Sequence, residues 1–209
     1  MEAMSTTPAR TRRDATQNRA SLLAAARVVL NDDPAASLEA IATAAHLSRR
    51  AVYGHFASRD DLVRELLMTG TERVSAAIAH TRHTDPVSDL ALIAAGLWRE
   101  VESVRVMALF AVRGPFKGLT ASALEPLRKR VLGDVRRGQQ AGGIRNDIDA
   151  ATLARLIEEG ALIVLDEATT ASLTSAQGRA LVMRVVLSLA GLGWRDTAEL
   201  IDSISEDTA

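Results

Sequence analysis

The chain places three helix starts within 22 residues, at Ser37, Ser48 and Ser58. Ser37 precedes Leu38, with Glu39 in the first turn, where a carboxylate favours the positive end of the helix dipole. Ser48 precedes Arg49, and Ser58 with Asp61 three residues later reads as a capping box. The middle helix, Arg49 to about His55, has two turns and cannot be stable alone. Its partner is the preceding helix, Leu38 to Ala45, joined to it by only His46, Leu47 and Ser48. Two short helices on so tight a connection have the shape of a helix-turn-helix. Ala42, Leu47 and Val52 stand where the crossing needs small and apolar residues. The second helix then presents Arg49, Arg50, Tyr53 and Gly54 outward. Arginine matches guanine O6/N7 and phosphate, and a helix start leaves backbone N–H groups directed at an anion, so this surface suits a DNA major groove.

The rest of the chain is read as helical too. Apolar residues recur at helical spacing, as at Leu22, Ala26, Val29 and Leu30, alanine is the commonest residue, and no alternating strand pattern occurs. Breaks at residues 32–36, 46–48, 57–58, 84–86, 114–117 and 138–146 give about nine helices in an all-α fold. With no cysteine among 209 residues, disulfides, thiolate metal sites and cysteine nucleophiles are excluded. The longest charge-free apolar stretch, Val185 to Trp194, is far short of the roughly 20 residues of a membrane span. No secretory signal is read at the N-terminus, so no membrane association and a cytoplasmic location are expected. The net charge is −1, but residues 1–60 carry eight arginines against six acids. Arg10, Arg12, Arg13 and Arg19 cluster in one segment, either a phosphate-facing arm or a solvated tail.

Residues Arg19 to Val63 resemble the N-terminal DNA-binding domain of the TetR family of bacterial transcriptional regulators. The likeness rests on the Ser37 start, the Ile41-Ala42 pair, the Leu47-Ser48 turn and the string from Ala51 through Tyr53, His55, Phe56, Ser58 and Arg59 to Leu62. It implies a flexible basic arm over 1–17, a helix-turn-helix domain over 18–64, and a ligand-binding and dimerisation domain over 65–209. It also implies that Arg49, Arg50 and Tyr53 face base edges, with Glu39 reaching across. Ser37, Ala51, His55 and Arg59 then contact the phosphate backbone, Ala51 through its backbone alone, and Ser48 joins the DNA-binding set as the helix start that directs N–H groups at an anion. His46 stands where the family has glycine, at a position calling for a left-handed conformation. Phe56 is read as a core aromatic.

The remainder shows no nucleophile triad, phosphate loop or dinucleotide fingerprint, so neither an enzyme nor a cofactor is expected. Asp60-Asp61-Leu62-Val63-Arg64-Glu65 is the one superficial likeness to a metal-dependent all-helical enzyme, without a second acidic box. His80 and His83 share a helix face without completing a metal site. Leu97, Trp98, Val101, Met107, Phe110, Ala111 and Phe116 gather apolar and aromatic bulk where the TetR family holds its effector; ordinary core is the alternative. Arg99, Glu100, Arg105 and Arg113 are the nearby charges. The last two expected helices, about Ala150–Glu167 and Thr174–Gly193, are apolar almost all round. They are read as a homodimer interface through Leu153, Ile157, Val164, Val182, Val186 and Leu189. The expectation is a dimeric repressor of a palindromic double-stranded DNA operator, released by a small apolar or amphipathic effector. The alternatives are a non-allosteric DNA-binding protein with a filled core and, remotely, the metal-dependent enzyme.

Overall fold

The computed structural model describes the backbone of residues 8–206 and the side chains of residues 16–204. Among these the fold is all-α, with no strand. The helices are α1 (Pro8–Asp32), α2 (Leu38–Ala44), α3 (Arg49–His55), α4 (Arg59–Ala79), α5 (Pro86–Val101), α6 (Arg105–Arg113), α7 (Lys117–Ala141), α8 (Ala150–Thr170), α9 (Ser175–Ala190) and α10 (Trp194–Glu206), with a 3-10 turn at Glu102–Val104. The chain divides into two compact units, Met1–Leu67 and Met68–Ala209, and the division falls inside α4.

In the first unit α1 begins at Pro8, so residues 8–17, expected to belong to a flexible arm, are its opening turns. The physical reason is local: proline fits a first helical position, and no glycine or second proline interrupts the run to Asp32. Residues 1–7 and the side chains of Arg10, Arg12 and Arg13 lie outside the described residues. Leu22, Ala26 and Leu30 form the buried stripe of α1, and Leu38, Ile41 and Ala42 of α2 and Val52 of α3 are buried as well. Phe56, 2% exposed, and Leu62 and Val63 of α4 complete this core, each large side chain contributing about 1.5–3 kcal/mol of burial.

The second unit is built around α5, which packs on α9, and α9 in turn on α8. Among the close approaches at glycines, two join one helix to another. A Cβ at Gly178 would overlap the Trp98 indole, and one at Gly160 would meet Leu189 and Val185. Asp85 caps α5, its carboxylate accepting from the Ser88 N–H at 2.8 Å, and Thr174 with Gln177 forms a capping box on α9. α9 ends on Gly191 at φ 110, a left-handed position. Ten α-helices among the described residues agree with the about nine expected, the segment after Gly193 adding α10, which buries Thr197, Ile201 and Ile204 at helical spacing.

Five of the six residues expected at a dimer interface are enclosed by the chain itself. Leu153, Ile157, Val164, Val182 and Val186 are buried in the chain's own core, and Leu189 is partly buried beside Gly160. α8 and α9 are apolar almost all round because they cover one another and α5, with α6 and α7 closing over α8. The large apolar residues that α8 leaves exposed are Leu156 at 42% and Ile163 at 61%.

Candidate nucleic-acid interface

Ser37 accepts from the Ala40 N–H at 3.1 Å and Ser48 from the Ala51 N–H at 3.2 Å, so both serines fix the starts of their helices. Between α2 and α3 the Leu47 N–H donates to the Ala42 carbonyl at 2.9 Å, and His46 takes φ 57. That left-handed residue lets the chain reverse in so few positions.

Across the turn, Glu39 of α2 meets the outward face of α3. The Tyr53 hydroxyl donates to the Glu39 carboxylate at 2.9 Å, and Arg49 Nε lies 3.4 Å from the same oxygen. The Arg49 guanidinium also stands 5.6 Å from the Tyr53 ring centroid, within cation–π range. The Tyr53 hydroxyl, with Arg49 as a smaller influence, holds the Glu39 carboxyl below its ordinary value. This one carboxylate orients a tyrosine that is 44% exposed and an arginine whose side chain is 76% exposed. Arg50 is exposed and makes no hydrogen bond or ion pair among the described residues. The result is a rigid aromatic body flanked by two arginine heads on a two-turn helix.

Three expected phosphate contacts are corrected. Arg59 turns inward, its Nε donating to the Ala36 carbonyl at 2.8 Å and another nitrogen to the Pro34 carbonyl, so it ties down the α1–α2 connection. Arg19, grouped with the basic arm, forks onto Glu65, donates to the His55 carbonyl at 2.9 Å and lies over the Phe56 ring at 4.4 Å. The backbone N–H of Ala51 is already bonded to Ser48. These roles carry no local signal: Arg19 and Glu65 are 46 positions apart, and Arg59 and Ala36 are 23 apart. His55 remains half-buried at the end of α3.

The residues expected to line an effector site are spread over several packing groups, with Val101 against both the Trp98 core and the Val74 cluster. Trp98, 3% exposed, belongs to the main core, where its ring closes on Gly178. Arg105 covers its ring at 5.0 Å while donating to the Ala168 and Leu173 carbonyls, so this charge is committed to the C-terminal end of α8. Leu97 and Val101 pack on Val74, Ile78 and Ile93. Phe110 and Phe116 pair with ring centroids 6.1 Å apart, and Met107 and Ala111 are buried on the same helix as Phe110. Arg113 and Glu100 are also engaged, with Glu159 at 3.4 Å and with Arg73 at 3.3 Å. No group of three histidine or acidic residues among the described residues could hold a metal ion, and Asp61 is spent on Ser58.

Residues 22–66 match the family model of bacterial regulatory proteins of the tetR family. None of the curated proteins matches the chain in sequence. Among solved structures, the transcriptional regulator FadR of Bacillus subtilis, in complex with stearoyl-CoA, superposes with a TM-score of 0.65 at 16% identity, over 82% of this chain and 97% of that one. The ketosteroid transcriptional regulator KstR2 of Mycobacterium tuberculosis gives 0.66 at 21% identity, over 81% and 93%. RolR in complex with resorcinol gives 0.57 at 18% identity, over 90% and 94%. The likeness to that family in sequence thus lies within the N-terminal unit. The chain as a whole has the fold of a TetR-family transcriptional regulator.

Proposed function

We propose that the protein is a ligand-responsive repressor that binds a palindromic DNA operator as a homodimer and is released by a small apolar or amphipathic effector. The observation that carries the DNA reading is the α3 face, where Glu39 presets Arg49 and Tyr53 beside the unengaged Arg50. In this reading Arg49, Arg50 and Tyr53 meet base edges, while Ser37, Ser48 and His55 lie against the backbone. The domain division follows: residues 18–64 bind DNA and 65–209 bind effector and partner. The dimer forms through the exposed apolar stripe of α8 at Leu156 and Ile163.

The effector site lies along α6 and the start of α7, at Met107, Phe110, Ala111 and Phe116, with Leu97 and Val101 beside it. Two proteins of this fold were solved with stearoyl-CoA and with resorcinol, which supports a small-molecule effector here. A coupling of about 1–3 kcal/mol between the sites would loosen operator binding roughly 5- to 150-fold. The burial of Trp98 against Gly178 favours a second reading, in which the core is filled and DNA binding is unregulated. Selection of bound duplexes from random DNA tests the main reading: it should return palindromes with two half-sites. Binding without sequence preference, or to a single half-site, would overturn it.

A further inference from the structure

A second concentration of charge lies far along the chain from α3. Asp89 of α5 is 2% exposed and Asp134 of α7 is fully buried. Arg130 grips Asp89 through two nitrogens at 3.0 and 2.7 Å, and donates as well to the carbonyls of Ile78, at 2.5 Å, and Thr81. The His83 N–H reaches Asp89 at 2.7 Å. Asp89 is therefore held ionised below the ordinary aspartate value, against the cost of its burial. Asp134 has one oxygen on Arg137 at 2.6 Å and the other, Oδ2, buried without a donor. A carboxylate oxygen beside a second carboxylate is satisfied only if one of them carries a proton. Burial and Asp89 push Asp134 up to about 7, so it is the partner that holds it.

Beside this pair opens a cleft of about 320 Å³, lined by both aspartates and by Arg82, Lys129, Arg130 and Arg137. With one proton on the pair, four cations face one carboxylate. Arg82 is exposed and has no ion pair among the described residues, and Lys129 is 74% exposed, 3.6 Å from Glu125. A concave site with this excess draws anions.

We propose that this cleft is a ligand site for a small molecule bearing a carboxylate or phosphate, and that its occupancy and the protonation of Asp134 support one another. The anion is held by Arg82, Lys129 and the free donors of Arg137. An incoming negative charge disfavours ionisation of Asp134, so binding takes up a proton wherever Asp134 is partly ionised, and affinity falls as pH rises above about 7. The other groups facing the pair are the fixed cations Arg130 and Arg137 from α7 and, from the α4–α5 connection, Arg82 and His83; the His83 imidazole accepts from the Asp85 N–H at 3.1 Å. Histidine is itself a titratable side chain, so the contribution of His83 has to be separated.

Calorimetric titration of the full-length protein with sulfate, a non-titrating stand-in for phosphate, and with succinate tests this at constant ionic strength set with chloride. Saturable binding of one or both is expected, and which of them binds identifies the head group. Arg82→Ala and Lys129→Ala should each weaken it several-fold. Affinity should fall by up to about tenfold per pH unit above about pH 7 in the unaltered protein and in His83→Gln, and stay flat in Asp134→Asn. Should Asp134→Asn not fold, proton uptake on binding, read from heats in buffers of different ionisation enthalpy, should appear in the unaltered protein and persist in His83→Gln. The proposal is overturned if neither anion saturates, if neither cation variant weakens binding, or if the pH dependence follows His83 instead of Asp134.

Discussion

Arg59→Ala separates a scaffold arginine from a DNA-contacting one. The structure commits its guanidinium to the carbonyls of Ala36 and Pro34, on the segment that sets α2 against α1. A hydrogen bond to a charged group contributes about 1.5–3 kcal/mol when buried. The side chain is 27% exposed, and water can rehydrate the freed carbonyls, so the two together are expected near about 2 kcal/mol. That is roughly a 30-fold loss in the folding equilibrium. Urea unfolding should show the drop directly. Operator binding, measured where the variant is still folded, should keep the salt dependence of the unaltered protein. Loss of a phosphate contact would instead lower the slope of log affinity against log salt by about 0.9. A variant with unchanged stability and a shallower slope would refute the scaffold role and return Arg59 to the DNA.

Arg49→Ala and Arg50→Ala should each cost about 1–3 kcal/mol on the selected operator and much less on random duplex, which competition binding would show; equal losses on both would remove them from base readout. Ile163→Glu should yield a folded monomer in sedimentation, whereas Ile157→Glu should unfold the chain, because a lone charge would enter its own core. Ala111→Trp should abolish effector response with operator affinity and melting temperature intact; a destabilisation of about 1–3 kcal/mol with lost DNA binding would mean packed core there. Asp134 adds a pH signature: its folded pKa is raised to about 7, so the folded state binds the extra proton and stability declines as pH rises from about 4 to about 7. Asp134→Asn should flatten that decline in urea titrations across the range; an unchanged profile would deny the shared proton.

The helix-turn-helix was legible because its determinants are local. Serine caps, a three-residue turn and the spacing of Ala42, Leu47 and Val52 act over a few positions, and the left-handed residue at His46, which the family resemblance implied, lies within that same connection. The outward set of Arg49, Arg50 and Tyr53 came from the same periodicity. What Arg19 and Arg59 do was not legible, since an arginine's hydrogen-bond partners depend on which carbonyls tertiary packing brings within reach of its long side chain. The apolar circumference of α8 and α9 had the same ambiguity. Periodicity reports that a face is buried but not whether the cover is another helix of the same chain or a second copy, and here α5 and the two helices themselves supply most of it. The Asp89–Asp134 pair lies at the far end of that scale. Two aspartates 45 positions apart read as ordinary surface charges until α5 and α7 pack together, and only the exclusion of water around them turns a pair of like charges into one that holds a proton.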